Sequence, residues 1–510
     1  MHGQGCSPSR REFLDTVKTG RIPPVYAEIP FRSPHETYEC TASTNSILLE
    51  SVKGPAKIAR YSFIGTDPCL VFKIKNGVAD IETSCKKSLL TRKPVTVLKA
   101  LMDKYPQAPH ASLPPFQGGM AGMMSYDFVH YFEKLPASTF DDLRLPDAHF
   151  FMMDRIIAFD HAAKLSWVIV CPGLRHIMHS DSQLTLSDWS AMYDEAENYL
   201  RDILKKLLSP IRPVGNVIVR SSGSSSRPCK KCEVHHEMTK KDYTEIVKRA
   251  KAYIAAGDIF QANLSQRVSA GIMRKNPWDL YRILRAVNPS PFAAFIDYGD
   301  YQIVSSSPER LLRVTGSMVE TRPIAGTRPR GRDTNEDALM REELLLNEKE
   351  RAEHIMLIDL ERNDLGRVSS YGTVRVDEFM FTEEYSHVIH IVSNITGNLA
   401  NGKNCFDAVR ATFPGGTITG VPKVRCMEII DELEPLRRGP YTGSAGYLSF
   451  SGALDFNIII RTFIIKNNTA YVHAGAGIVA DSDPDREYGE TLNKAEALVK
   501  TLELVQATEI

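Results

Sequence analysis

Short apolar runs broken by turn residues dominate the first half of the chain. Residues 47–52 and 69–75 alternate as half-buried strands do, and Asn76-Gly77 closes the second with a pair suited to a tight hairpin turn. Residues 153–159 and 165–170 flank His161-Ala-Ala-Lys and read as another hairpin, after which residues 189–208 switch to helical spacing. A stretch rich in Ser, Gly, Pro and Lys, 210–239, then reads as a linker between an N-terminal region, 1–209, and a C-terminal region, 240–510. Residues 241–257 form an amphipathic helix that Gly257 stops. Strand-like runs follow at 258–268, 293–297, 303–306 and 311–314, then one long helix or a broken pair at 337–359. Strands resume at 445–450, 457–466 and 470–474 before a final helix. Strands punctuated by helices at irregular spacing indicate an α+β fold with large antiparallel sheets, not a regular βαβ alternation.

Two of these helices carry acidic faces. In Asn347-Glu-Lys-Glu-Arg-Ala-Glu-His, Glu350, Glu353 and His354 line up, while Met356, Leu357 and Leu360 face the core. In the final helix Glu487, Glu490 and Lys494 share a face. Two helical carboxylates from distant parts of a chain suit Mg²⁺ held beside an anionic substrate. The same spacing also suits plain i,i+4 ion pairs on solvated faces. Gly475-Ala-Gly-Ile-Val-Ala has the letters of a dinucleotide fingerprint, but Asp481, Asp483 and Pro484 stand where its helix should begin. Phe413-Pro-Gly-Gly-Thr-Ile-Thr-Gly-Val-Pro-Lys has no Gly-Lys-Ser/Thr to close a phosphate loop. Cys229-Lys-Lys-Cys232 with His235-His236 has metal-like spacing but no second cysteine pair, so it is read with the linker.

Composition narrows the partners. Lys and Arg number 62 and so do Asp and Glu, a balance that argues against nucleic acid or an acidic membrane. The chain has no apolar run long enough to span a bilayer and no apolar leader at Met1–Arg11. Nine scattered cysteines suit a reducing cytoplasm.

Thr321-Arg-Pro-Ile-Ala-Gly-Thr-Arg-Pro-Arg-Gly, the Phe413–Lys423 run, Ala474-Gly-Ala-Gly-Ile-Val-Ala-Asp-Ser-Asp and the two acidic helices occur in that order. Together they closely resemble the chorismate-utilising enzymes, and within them the large subunit of anthranilate synthase. The resemblance implies an α/β sandwich of two large sheets with helices outside. It implies Mg²⁺ on Glu353 and Glu490, and substrate held by Tyr441, Arg461, Lys494, Gly326-Thr327 and the backbone of Gly475-Ala476-Gly477. Arg461 suits a two-pronged carboxylate contact. Glu309 matches the family's general acid for the C4 hydroxyl, a role that requires a pKa raised by burial. His390 matches the histidine tied to pyruvate loss. A tryptophan inhibitor pocket is implied at Ser51 with Pro291, Phe292 and Ala293, where the family more often has Pro-Tyr-Met.

Ala325 stands where aminodeoxychorismate synthases commonly carry a lysine, and alanine leaves ammonia free to attack C2, the route to anthranilate. Gln261-Ala-Asn-Leu-Ser-Gln and Asn288-Pro-Ser-Pro-Phe-Ala-Ala lean toward the aminodeoxychorismate branch instead. No cysteine sits in a glycine-rich nucleophile turn, so ammonia is expected from a separate glutamine amidotransferase subunit in a hetero-oligomer. The N-terminal region is the expected site of regulation and partner docking.

Overall fold

Alternating strands build two twelve-stranded sheets, and the two halves of the sequence are interleaved in both. The computed structural model describes residues 6–83, 86–180, 182–208, 233–272, 275–384 and 388–507. Among them every pairing between named strands is antiparallel. In the first sheet Ser46–Glu50 pairs with Phe292–Asp297. In the second, Gly119–Met124 pairs with Ser444–Ser449. The regions 1–209 and 240–510 therefore share both sheets, and neither closes on a sheet of its own. Because strands are buried on the face where the sheets meet, Phe63, Met123, Phe151, Ala294 and Ile464 form one core between them. The Phe116 and Tyr447 rings stack there with centroids 4.8 Å apart. Each such fully buried large side chain contributes about 1.5–3 kcal/mol.

Helices cover the other faces. Lys240–Ala255 starts at a capping box between Thr239 and Asp242 and ends before Gly257, whose φ of +81° is the left-handed value glycine tolerates. It packs with Lys423–Leu433 on the strand Gln261–Gly271. Of the region read as a linker, 210–232 lies outside the described residues, Cys229 and Cys232 included. Its end does not remain a linker, because His235–His236 adds a short strand to the edge of the first sheet.

Several boundaries move once pairing partners are known. Met153 ends the strand Ala148–Met153, so the hairpin is Arg155–Asp160 with Leu165–Val170. The long acidic helix is a pair, Thr334–Leu346 and Glu348–Gly366, broken at Asn347, whose side chain caps the second at Glu350 N. Within it Leu357 is buried, but Met356 and Leu360 line a surface groove of about 730 Å³. The expected strand 457–466 is two strands. Leu454–Asn457 belongs to the second sheet and Thr462–Lys466 to the first, and the chain crosses between them at 458–461.

Candidate active site

The crossings between sheets position the chemistry. Tyr301–Ser307 lies in the first sheet and Arg310–Thr315 in the second, leaving Glu309 in the passage between them. The neighbouring crossing carries Arg461, read from sequence as a strand residue but here at φ +51°, a turn that continuous strand could not supply. The two crossings are tied by Ile458 N–H to Glu309 O at 3.0 Å and by Ser307 Oγ–H to Ile458 O at 2.6 Å. Glu309 is 5% exposed. Burial pushes its carboxyl up to about 7, against smaller downward pulls from Thr417, the Ile324 amide, Arg461 and Lys494. It is therefore a carboxylic acid able to hold a proton near neutrality.

His390 comes from Val388–Asn398, which pairs with Ile324–Pro329. The register slips between Ala325 and Thr327, and Gly326 occupies the irregularity at φ +62°. A side chain at 326 would come to 3.0 Å from Glu350 Oε2 and Leu344 Cδ1, a tight fit added to the left-handed φ that favours glycine. The Gly326 carbonyl lies 3.1 Å from His390 Nδ1. A carbonyl only accepts, so Nδ1 carries the proton and the lone pair is on Nε2. Burial, then the Arg461 charge, pushes this imidazole down to about 3, which makes it neutral at physiological pH. Thr327 pairs with His390 in the strand register.

The last helix, Pro484–Ala507, brings Glu490 and Lys494. The i,i+4 pair forms, Lys494 Nζ to Glu490 Oε1 at 2.7 Å, and the same ammonium donates to the Gly475 carbonyl at 3.1 Å. Its charge also acts on Glu309, His390 and Glu353. Glu353 accepts from Gln261 Nε2 at 2.8 Å. Its carboxyl is raised chiefly by burial, with repulsion from Glu350 and Glu490 adding to it. Among the described residues no group of three or more His, Cys, Asp or Glu side chains could hold a metal. Glu353 and Glu490 are a two-carboxylate set, the complement Mg²⁺ takes when water and substrate supply its other ligands. A dication held between them would offset the repulsion that Glu490 exerts on Glu353.

On Thr469–Ile478, Gly475 and Gly477 face the side of Tyr441, Gln261 and Glu353, whereas the Ala476 side chain between them packs into the core under the helices. An added Cβ at Gly475 would meet Asn263 Oδ1 at 2.6 Å and the Tyr441 hydroxyl at 2.8 Å. At Gly477 it would meet Gln261 Nε2 at 2.4 Å. Tyr441 stacks on His473, with centroids 5.0 Å apart and planes at 11°. Beneath them Glu434 and Arg438 form a buried pair at 2.7 Å, satisfied further by Ser265 N–H and by the Asn263 and Ile418 carbonyls. The sequence reading missed this support and the roles of Gln261 and Asn263. Their alternation on one buried strand was the signal that could have shown them.

Ser51, Pro291, Phe292 and Ala293 also meet, in a separate cavity of about 380 Å³. The Ser51 hydroxyl donates to the Tyr61 carbonyl at 2.8 Å and lies 3.1 Å from the Pro291 carbonyl.

The model of the chorismate binding enzyme family matches residues 45–500. Anthranilate synthase component 1 of Acetivibrio thermocellus is 44% identical over 462 residues, covering 90% of each chain. Aminodeoxychorismate synthase component 1 of Bacillus subtilis (strain 168) is 41% identical over 485 residues, 94% of this chain and 97% of that one. The crystal structure of anthranilate synthase component I from Streptococcus pneumoniae TIGR4 superposes with a TM-score of 0.74 at 36% identity, over 86% of this chain and 92% of that one. A fold of two antiparallel sheets crossed at Glu309 and Arg461 thus belongs to the chorismate binding enzyme family. The chain is a chorismate-utilising enzyme. No helix among the described residues is long and apolar enough to cross a membrane.

Proposed function

We propose that this enzyme converts chorismate and ammonia to anthranilate and pyruvate, the first step toward tryptophan. Arg461, Lys494, Tyr441, Gly326-Thr327 and the Gly475-Ala476-Gly477 backbone hold the substrate. Glu353 and Glu490 hold Mg²⁺, which supplies positive charge for the ring carboxylate. Ammonia adds at C2. Glu309 donates its proton to the C4 hydroxyl, which leaves as water. Neutral His390 then accepts a proton as the enolpyruvyl ether departs and the ring aromatises. The observation that carries this reading is Glu309, a buried carboxyl near its working pH, facing cationic Arg461 and Lys494.

Ammonia is drawn from a glutamine amidotransferase subunit in a cytoplasmic hetero-oligomer, with the N-terminal region as docking and regulatory surface. The Ser51 cavity takes tryptophan as feedback inhibitor. One observation favours a second product, 4-amino-4-deoxychorismate for folate synthesis. The site contains Gln261 bonded to Glu353, within the segment that leans to that branch. Ala325, small and 9% exposed beside Gly326, favours anthranilate. Product identification after incubation with chorismate, Mg²⁺ and ammonium decides the matter. Release of aminodeoxychorismate alone rejects the first reading.

A further inference from the structure

The Phe413–Lys423 run has no part in the reaction proposed above, and its last residue is misplaced by local rules. Lys423 opens the helix Lys423–Leu433, where a positive charge meets the positive end of the helix dipole. Its ammonium turns back toward the preceding loop. It donates to the Thr412 carbonyl at 3.0 Å and the Pro414 carbonyl at 2.9 Å, and it pairs with Asp364 of Glu348–Gly366. An ammonium has three protons to donate, and these are three acceptors. The Lys423 side chain is 12% exposed and that of Asp364 3%. Thr412 ends the helix Cys405–Thr412, so one of the three bonds also closes a helix C-terminus.

The loop held in this way lies against the Glu309 crossing. A Cβ built on Gly415 would fall 2.9 Å from Ile458 Cδ1 and 3.3 Å from Leu311 Cδ1. Leu311 stands two residues beyond Glu309, and Ile458 is the residue whose N–H bonds the Glu309 carbonyl. The loop therefore touches both crossings at once, through a residue with no side chain. Its other face, at Gly416, abuts Leu360 and Glu361 on Glu348–Gly366. Its far end is fixed separately, by Arg438 Nη1–H to the Ile418 carbonyl at 2.9 Å. Lys423, Asp364 and Phe413 also line the surface groove of about 730 Å³, so solvent stands behind the ammonium.

We propose that Lys423 is a positioning residue, an ammonium clamp that keeps the 412–418 loop closed over Glu309 and water away from it. The inference rests on Glu309 being the general acid. Glu309 needs that cover, because burial is the chief reason its carboxyl holds a proton near neutrality. The charges acting on Glu309 are Arg461 and Lys494, with buried Glu361 beyond the Gly416 backbone, while Asp364 and Glu361 surround Lys423. Releasing the loop leaves Arg461 and Lys494 in place and admits water, so the Glu309 carboxyl falls toward the ordinary range. Deleting a cation would by charge alone raise a nearby carboxyl. The two effects have opposite signs, and the direction of the shift tells them apart.

The test is the alkaline limb of kcat/KM for chorismate at constant free ammonia, with urea unfolding alongside, in Lys423→Met, Asp364→Asn and their double variant. Lys423→Met removes all three bonds and leaves Asp364 buried without its cation, so it should be the least stable. The double variant removes both charges and should recover stability without restoring the bonds to the loop. In both variants that lack the ammonium the limb should move down by about one pH unit. From about 7, that shift cuts the protonated share of Glu309 at pH 7 from about half to about one-tenth, roughly a fivefold loss. Asp364→Asn keeps Lys423 on its two carbonyls and should keep the limb. A stable double variant with the wild-type limb overturns the proposal and makes Lys423 a counter-charge for Asp364. A limb that rises, or one that Asp364→Asn alone lowers as far, overturns it too. Glu309→Gln separates the two readings. If it retains wild-type activity, the general acid was misassigned and the clamp has nothing to position. If it is inactive while the limb of the double variant stays put, only the inference about Lys423 fails.

Discussion

Adding one methyl group to the floor of the site tests how Glu353 is held. In Gly477→Ala the new Cβ falls 2.4 Å from Gln261 Nε2, and ordinary contact begins at 3.4 Å, so the amide must retreat by the difference, 1.0 Å. Gln261 is the far end of a side chain and can move, so the fold survives. It cannot move that far and keep its 2.8 Å bond to Glu353 Oε1. Hydrogen bonds to a charged group are worth about 1.5–3 kcal/mol, and partial recovery through water brings the loss to about 1–2 kcal/mol, roughly a 5- to 30-fold change. Gln261 is the largest influence lowering the Glu353 carboxyl, so its loss raises that carboxyl further. Protons then compete better with Mg²⁺, which binds only the carboxylate. If Glu353 holds Mg²⁺ as proposed, the expected result is a Mg²⁺ requirement above that of wild type that narrows toward it as pH rises. Initial rates against MgCl₂ at several pH values measure it. A Mg²⁺ requirement unchanged at every pH refutes the coupling. A loss of rate at saturating Mg²⁺ that ignores pH shows instead that the methyl blocks substrate.

Glu309→Gln should lower kcat by about 10²–10⁴-fold without unfolding the protein. In wild type, activity that needs the Glu309 proton falls as pH rises through about 7, and His390, already neutral above about 3, adds no limb near 6.5. Glu434→Gln leaves Arg438 buried and unbalanced, and urea unfolding should show about 3–5 kcal/mol lost. The double change Glu434→Leu with Arg438→Met should recover much of it, and a double variant as weak as the single one contradicts that account. Ala325→Lys puts an amine where ammonia approaches C2, so anthranilate should disappear from the products by mass spectrometry. Ser51→Phe intrudes into the 380 Å³ cavity and should relieve any inhibition by tryptophan, while millimolar tryptophan that leaves the wild type uninhibited rejects that assignment.

Much of the architecture was legible along the chain, because period-two alternation and turn pairs such as Asn76-Gly77 are local. That hairpin appears as read, with φ of +49° and +80° at its turn. So does the helix that stops at Gly257, since a left-handed C-terminal residue is a property of a few neighbouring dihedrals. The glycine motifs and the acidic helices could also be recognised in order, because each is a contiguous string of residues.

What alternation cannot show is which sheet a strand joins. Residues 457–466 read as one strand since both pieces are apolar, yet the chain changes sheets in the middle, and only partners remote in sequence decide that. Arg461 and Glu309 owe their meeting to two such crossings lying side by side. The protonation of Glu309 and His390 is likewise undetermined by the residues nearest them, because it depends on exclusion of water by elements from the whole chain. Local sequence determined the elements and their caps, whereas the charges those elements bring together were decided by tertiary packing, which sets both distance and dielectric.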